Sequence, residues 1–258
     1  MSSSTTSPSP VVHQVSASRG RVRPAYTLMC PENLVENALP HLTGVVAKPL
    51  ATPRALPARF GEYLLEFEDG GHSTRPLGAG FENFLYVLEG HLVVTAGTDT
   101  SYPLEPGGYV FLPEGTEFGV RSAGESRALW VKRRYDRVDG VAAPEPVAGH
   151  VDEVTHHPDD TIGGTYAPLL PDDERYDMAM NFMRFDVGAR FRMVEVHHQE
   201  HGLYMLAGEG VYYLGDDHVE VSAGDFVYMA PYCPQSFYAT GSARPSYLLY
   251  KDINRDGF

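Results

Sequence analysis

The chain has 258 residues, which is enough for one large domain or two ordinary ones, and 43% of them are hydrophobic, which is enough for a sizeable core. The formal net charge of −14 argues against binding to nucleic acid or to an anionic membrane surface. No apolar run reaches membrane-spanning length. The 26 glycines and 20 prolines, with few long helical patterns, favour an all-β fold with many turns.

The N-terminal segment is rich in Ser, Thr and Pro and lacks the apolar stretch of a signal peptide. We predict a disordered tail over residues 1–14 of a cytoplasmic protein. The clearest helical candidate follows Pro31 and spans residues 32–37, for one or two turns at most. Cys30 and Cys233 form no Cys-x-x-Cys motif, so neither a disulfide framework nor structural zinc is expected.

The two halves of the chain repeat the same pattern of apolar strands separated by Gly turns. In the first half the pattern covers residues 84–90 and 106–115, and in the second half residues 203–208 and 223–231. Short apolar segments bounded by Gly and Pro predict antiparallel hairpins, and two copies predict two sandwiches or barrels. The stretch 136–173, rich in Pro, Gly and Asp, is expected to connect them and to hold a strand or two. We therefore divide the chain into a first barrel over 15–140 and a connector with a second barrel over 141–258.

The most informative motif is Glu195-x-His197-x3-His201 in the second half. On a strand, residues two apart face the same side, so Glu195 and His197 are expected to point together. His201 follows a short polar stretch that is typical of a turn into a partner strand. One carboxylate and two imidazoles suit a catalytic divalent metal with open coordination positions.

This pattern resembles the cupin superfamily, whose small jelly-roll barrels occur in tandem as bicupins. The spacing to Gly208 matches the first cupin motif with its ligands permuted. In the second cupin motif the metal-binding His lies eleven residues after a Gly, and Gln235 holds that position after Gly224. Ala230 and Tyr232 replace the family's Pro and Gly. The resemblance implies Gln235 as a fourth ligand, and mixed nitrogen and oxygen ligation suits Mn²⁺ or Fe²⁺ better than Cu⁺.

The first half offers no equivalent ligands. The positions that correspond to Glu195, His197, His201 and Gln235, counted from Gly90 and Gly107, hold Leu77, Ala79, Asn83 and Phe118. None of these except Asn83 has a metal-binding side chain, and one Asn cannot hold a metal alone. The first barrel is therefore expected to be metal-free and to serve packing and assembly.

Three further residues are candidates for substrate contact. Tyr212 lies on the strand after Gly208, and Tyr247 and Lys251 share a face of the last strand. The tyrosines could equally be core aromatics with a hydroxyl at the rim, and Lys251 could be a solvated strand end. A Lys on an inward face beside a metal would hold a carboxylate or carry a proton.

Over nearly the whole chain, from about Val15, the sequence resembles the (S)-ureidoglycine aminohydrolase family. The resemblance is carried by residues 84–90, 107–109, 132–135, 177–180, 195–201, 206–212 and 250–256. It implies hydrolysis of (S)-ureidoglycine to (S)-ureidoglycolate and ammonia in allantoin degradation, by a homo-oligomer that binds a small ureide.

The same resemblance implies one Mn²⁺ per chain in the second barrel and assigns the site residues. The implied metal ligands are Glu195, His197, His201 and Gln235, and the implied catalytic residues are Lys251, Tyr212, Tyr247 and Glu195. Two alternatives stay open: another metal-dependent cupin enzyme, such as an oxygenase or isomerase, and a non-catalytic binding bicupin. Oxygenase cupins mostly use three His, so Gln235 argues against the first. Binding bicupins usually lose their ligands, so the motif argues against the second.

Overall fold

The computed structural model describes residues 18–255. The predicted tail over residues 1–14 and Asp256 of the last family motif lie outside this range. Within it the chain forms twenty β-strands and one 3-10 helix, Pro31–Asn33, so the predicted all-β class is confirmed. The helical candidate at 32–37 shrinks to this single turn, because Leu34 already has extended backbone angles of −76° and 130°.

The first barrel is a nine-stranded antiparallel sheet. Its strand order is β11-β8-β5-β10-β4-β9-β6-β7, and β3 pairs with the other side of β4. The strands are β3 (Leu42–Ala51), β4 (Phe60–Ser73), β5 (Glu82–Glu89), β6 (Leu92–Ala96), β7 (Thr100–Leu104), β8 (Gly108–Leu112), β9 (Phe118–Ser122), β10 (Ser126–Arg133) and β11 (Val147–His150).

The second barrel combines an eight-stranded sheet with a three-stranded one. The larger sheet has the order β1-β2-β18-β15-β20-β14-β13-β12, and the smaller one β17-β16-β19. The strands are β1 (Arg21–Val22), β2 (Tyr26–Met29), β12 (His157–Asp159), β13 (Gly164–Pro168), β14 (Met178–Phe185), β15 (His201–Ala207), β16 (Glu209–Leu214), β17 (Asp217–Ser222), β18 (Phe226–Met229), β19 (Gln235–Thr240) and β20 (Ser246–Asp252).

The two barrels exchange strands across the predicted division at residue 140. β2 comes from the start of the chain but pairs with β18 of the second barrel, and β11 comes from the connector but pairs with β8 of the first. The connector also supplies β12 and β13, so it holds three strands rather than one or two. Each exchanged strand covers a sheet edge that would otherwise expose unpaired backbone groups. The division into domains at residue 140 stays a prediction.

The largest hydrophobic cluster lies where the two barrels meet and contains buried residues of both. Phe60 of β4 packs on Tyr250 of β20 with ring centroids 4.0 Å apart. Gly202 lies beneath them, and a Cβ at this position would come within 2.7 Å of Phe60 and of the Glu62 carboxylate. The barrels are therefore packed against each other directly behind His201, the residue before Gly202.

Residues 18–255 contain no helix that is long and apolar enough to cross a membrane.

Candidate metal centre and active site

The segment that carries Glu195 and His197 is extended but is not a regular strand. Glu195 makes one isolated bridge with Gln235, in which each backbone N–H donates to the other residue's carbonyl at 2.8 and 3.0 Å. The prediction of a regular strand is therefore wrong, because only one isolated β-bridge forms. The alternation nevertheless holds, since Glu195 and His197 are half-buried while Val196 and His198 are exposed.

His201 is the first residue of β15 and is buried. Its neighbours in the sheet are Met229 of β18 and Lys251 of β20. The preceding residue, Glu200, is held by the first barrel, because its carboxylate accepts the backbone N–H of Arg59 at 3.1 Å. The entry of the chain into β15 is thus anchored from both barrels.

Gln235 is delivered by a tight turn after β18. Tyr232 has a φ of 63°, in the left-handed region that favours Gly, and its N–H donates to the His197 carbonyl at 2.7 Å. This is the position at which cupins usually carry Gly, so the turn is kept although the residue has changed. The turn ties the Gln235 loop to the His197 segment.

Three nitrogen atoms converge at the base of this site. His201 Nε2 lies 3.2 Å from His197 Nε2, and Gln235 Nε2 lies 2.9 Å from the same atom. Burial lowers the pKa of His201 to about 3, aided by His197 and Lys251. Burial also lowers the pKa of His197. Both imidazoles are therefore neutral near pH 7, which is the form that binds a metal.

Glu195 shares the cavity but does not complete a close cluster. Among residues 18–255, no three His, Cys, Asp or Glu side chains lie close enough to hold a metal ion. Burial raises the pKa of Glu195, and the nearby Lys251 partly offsets this. To bind one metal ion together, the Glu195 carboxylate and the two imidazoles would have to approach more closely, and Gln235 would have to present its amide oxygen in place of the Nε2 that faces His197. Two facing neutral imidazoles with a carboxylate and an amide beside them fit a divalent ion.

All seven residues predicted for the site line one cavity of about 230 Å³. Lys251 lies next to His201 across the sheet. Leu249 and Tyr247, two and four residues before Lys251 on the same strand, also line the cavity. The buried Tyr212 hydroxyl donates to the Tyr247 hydroxyl at 3.2 Å. Burial raises the pKa of both tyrosines, so both hydroxyls keep their protons at neutral pH.

Sequence reasoning missed four polar residues of the same cavity. Asp159, Thr161 and Tyr166 come from the connector, and Asn181 comes from β14. The Asp159 carboxylate accepts hydrogen bonds from the Thr161 backbone and hydroxyl at 2.8 and 2.6 Å. These residues follow no metal-ligand spacing, and the composition of the connector, rich in Pro, Gly and Asp, is typical of a linking segment. Their distance along the chain from the histidines left no local signal.

The corresponding region of the first barrel is packed with apolar side chains. Leu77 and Phe118 form the same isolated bridge that Glu195 and Gln235 form in the second barrel. The buried Phe118 ring lies edge-on to Trp130 with centroids 6.2 Å apart. The Asn83 amide is occupied, since it accepts from Trp130 Nε1 at 3.1 Å and donates to the Phe81 carbonyl at 2.8 Å. No metal-binding group is left at these four positions.

Two barrels of this topology, one of them with an interior imidazole pair, define a bicupin. The sequence profile of the Cupin domain family matches residues 63–132 and 181–250, one stretch in each barrel. The chain is 36% identical over 239 residues to (S)-ureidoglycine aminohydrolase of Escherichia coli K12, which covers 90% of this chain and 89% of that relative. It is 33% identical to the enzyme of the same name from Arabidopsis thaliana over 90% of this chain and 76% of the relative.

Solved structures agree with this assignment. Protein Ylba from E. coli superposes with a TM-score of 0.83 at 33% identity, covering 95% of this chain and 98% of that one. Oxalate decarboxylase of Bacillus subtilis superposes with a TM-score of 0.72 over 99% of this chain and 86% of that one, but at 10% identity it shows the fold alone. The chain therefore belongs to the (S)-ureidoglycine aminohydrolase family of bicupins, and the predicted family, fold and enzyme class are confirmed.

Proposed function

We propose that this chain hydrolyses (S)-ureidoglycine to (S)-ureidoglycolate and ammonia in the second barrel, with one Mn²⁺ held by Glu195, His197, His201 and Gln235. The observation that carries the proposal is the single cavity lined by all seven predicted residues, in a chain 36% identical to an enzyme of that name. The reaction breaks one C–N bond, and water supplies the hydroxyl group and the proton of the departing ammonia.

The potential ligand atoms in this cavity favour the binding of a metal ion. Two neutral imidazole nitrogens face each other, and a carboxylate and an amide line the same cavity. When bound, a divalent ion would polarise and orient substrate heteroatoms. Mixed nitrogen and oxygen ligation supports manganese over a soft ion such as Cu⁺.

The substrate carries a carboxylate beside the reacting carbon, and the chain offers one cation to meet it. Among the described residues that line this cavity, Lys251 alone is a Lys or Arg. Its ammonium would pair with the substrate carboxylate and so hold the molecule in one orientation.

The two tyrosines would bind the polar ends of the substrate. The Tyr212 hydroxyl donates to Tyr247, which leaves the Tyr247 proton to be donated into the cavity. A fixed, protonated hydroxyl in a buried pocket orients a ureido or amine group without any reorganisation cost. Glu195, whose pKa burial raises, would take or return the proton that moves during C–N cleavage.

Metal binding and turnover can be tested separately. We expect elemental analysis of protein prepared with manganese to find one ion per chain, and His201→Ala and Gln235→Ala to lose it. With substrate generated in situ by allantoate amidohydrolase, ammonia release and the chirality of the ureidoglycolate report turnover. Lys251→Met is expected to keep the metal and to lose about 100-fold or more in kcat/KM.

Lys132→Met is a matched control, because Lys132 occupies the equivalent strand position in the first barrel. It is expected to keep both the metal and the ammonia release. Ammonia release no faster than the spontaneous rate would overturn the proposal. Oxygen uptake during turnover would favour an oxygenase instead, and a metal-loaded protein without any turnover would favour a binding bicupin.

The cytoplasmic location, the homo-oligomeric state and the metal-free first barrel stay predictions. Ala79 and Asn83, which hold the positions of the two imidazoles, and Phe118, which holds that of Gln235, support the last of these.

A further inference from the structure

The mouth of the first barrel holds a second, larger cavity that the proposed reaction does not use. Its volume is about 860 Å³, and it lies between the β3–β4 connection and the end of β10. Four cationic side chains line it without an ion pair to any of residues 18–255, namely Arg54, Arg59, Lys132 and Arg134.

The cavity has little negative charge to balance these four side chains. Asp136 is the acidic residue on its wall among the described residues. Arg133 also lines the cavity, but it is neutralised by the buried Asp177 at 3.1 Å. In a chain with a net charge of −14, most cations could find carboxylate partners. Four cations outside any ion pair outnumber the nearby carboxylates of Asp136 and of Glu200, which lies beside Arg59, so the cavity is a local site of positive potential.

Lys132 lies deepest in this set and is surrounded by aromatic rings. Its Nζ lies 4.6 Å from the ring centroid of Trp130, 5.0 Å from that of Tyr63 and 5.5 Å from that of Phe81. Arg134 covers the Phe81 ring at 5.0 Å. Burial lowers the pKa of Lys132, since no neighbouring carboxylate compensates for the loss of water. The rings hold the ammonium in place but leave its charge available to an anion.

The strand register makes Lys132 the counterpart of Lys251. Lys132 pairs with Asn83 in the first barrel, and Lys251 pairs with His201 in the second. Asn83 and His201 each lie seven residues before the Gly that ends their motif. The first barrel has thus kept the inward-facing amine of the second barrel, while Phe118 and Trp130 fill the region where the metal ligands would be.

We propose that the mouth of the first barrel is a binding site for a small organic carboxylate that carries an apolar body. The carboxylate would pair with Lys132 and one of the flanking arginines, and the apolar body would lie against the aromatic wall. An arginine fork and a lysine beside each other match the geometry of a carboxylate, and the rings favour an organic ligand over an inorganic anion. This site is separate from the proposed metal centre and does not depend on its activity.

Trp130 makes the test direct, because it is the one tryptophan in the sequence and its ring touches the Lys132 ammonium. Cyclohexanecarboxylate and succinate would be titrated into the metal-loaded protein, with sodium sulfate at matched ionic strength as the inorganic control. We expect a saturable change in Trp130 emission with a half-saturation of roughly 1 mM or below for cyclohexanecarboxylate. Isothermal titration calorimetry would provide a readout that does not depend on the fluorophore.

Two variants separate this cavity from the metal centre. Lys132→Met is expected to weaken carboxylate binding by about tenfold or more, whereas Lys251→Met is expected to leave the titration of Trp130 emission unchanged. The double variant Arg54→Ala/Arg134→Ala lies at the exposed rim and gives a second test should Lys132→Met fail to fold, as judged by circular dichroism. Equal binding of sulfate, unchanged binding in folded Lys132→Met or in the rim variant, or no saturable signal with either carboxylate would overturn the proposal.

Discussion

Glu62 is a carboxylic acid buried in the contact between the two barrels. It lies on β4, is 2% exposed, and its Oε2 has no hydrogen-bond partner among the described residues. It faces Gly202, behind the site histidine, where an added Cβ would come within 2.7 Å of its Oε2. Burial without a partner raises the pKa of Glu62 from 4.5 to about 8. The substitution Glu62→Gln keeps the shape of this side chain and removes its ionisation.

The expected effect depends on pH, and its sign follows from proton linkage. A carboxyl whose pKa is raised by folding holds its proton in the native state while the unfolded chain releases it. The wild-type protein therefore loses stability as the pH rises from 4.5 towards about 8, and Glu62→Gln does not. At about 1.4 kcal/mol for each pH unit, the variant gains roughly 5 kcal/mol on the wild type over this interval.

Urea unfolding monitored by circular dichroism from pH 4 to pH 9 measures this difference. Glu66→Gln is the matched control, because Glu66 lies on the same strand but is partly exposed and paired with Lys48 at 2.7 Å. Its effect should stay below about 1 kcal/mol at every pH. Parallel stability profiles for the wild type and Glu62→Gln between pH 5 and pH 8 would show instead that Glu62 ionises freely in the folded protein.

Three further predictions concern other buried polar groups. Tyr247→Phe removes the acceptor of the Tyr212 hydroxyl and should lower the unfolding free energy by about 1–3 kcal/mol in urea titrations; a neutral result would contradict a buried hydrogen bond. Arg133→Met strands the carboxylate of Asp177 and should cost about 3–5 kcal/mol in the same assay, and a stabilised variant would argue against the pair. Burial lowers the pKa of His201 to about 3, so chelator-treated protein should lose about 1.4 kcal/mol of unfolding free energy for each pH unit below 6.5. His201→Gln should flatten this slope. Identical slopes for the two proteins would show that His201 titrates normally.

Much of the site was predictable because short-range chain geometry controls it. Residues two apart in an extended chain face the same side, so Glu195 and His197 reach the same cavity even though no regular strand forms. A fixed count from a turn Gly places Gln235 opposite them, and the same count in the first half correctly locates the bridge between Leu77 and Phe118. Residue spacings of this kind predict position well because turns and hairpins have few allowed lengths.

The all-β class, the two barrels and the seven predicted residues that line the second-barrel cavity could therefore be read from the amino-acid sequence, since all of these depend on local periodicity and turn spacing. The three-dimensional fold alone settles which distant strands pair with each other. It placed β2 in the second barrel, brought Asp159 and Asn181 to the cavity, and set Lys132 and Lys251 in equivalent registers. Pairing between strands far apart in the chain is selected by the packing of whole sheets, and no local pattern encodes it.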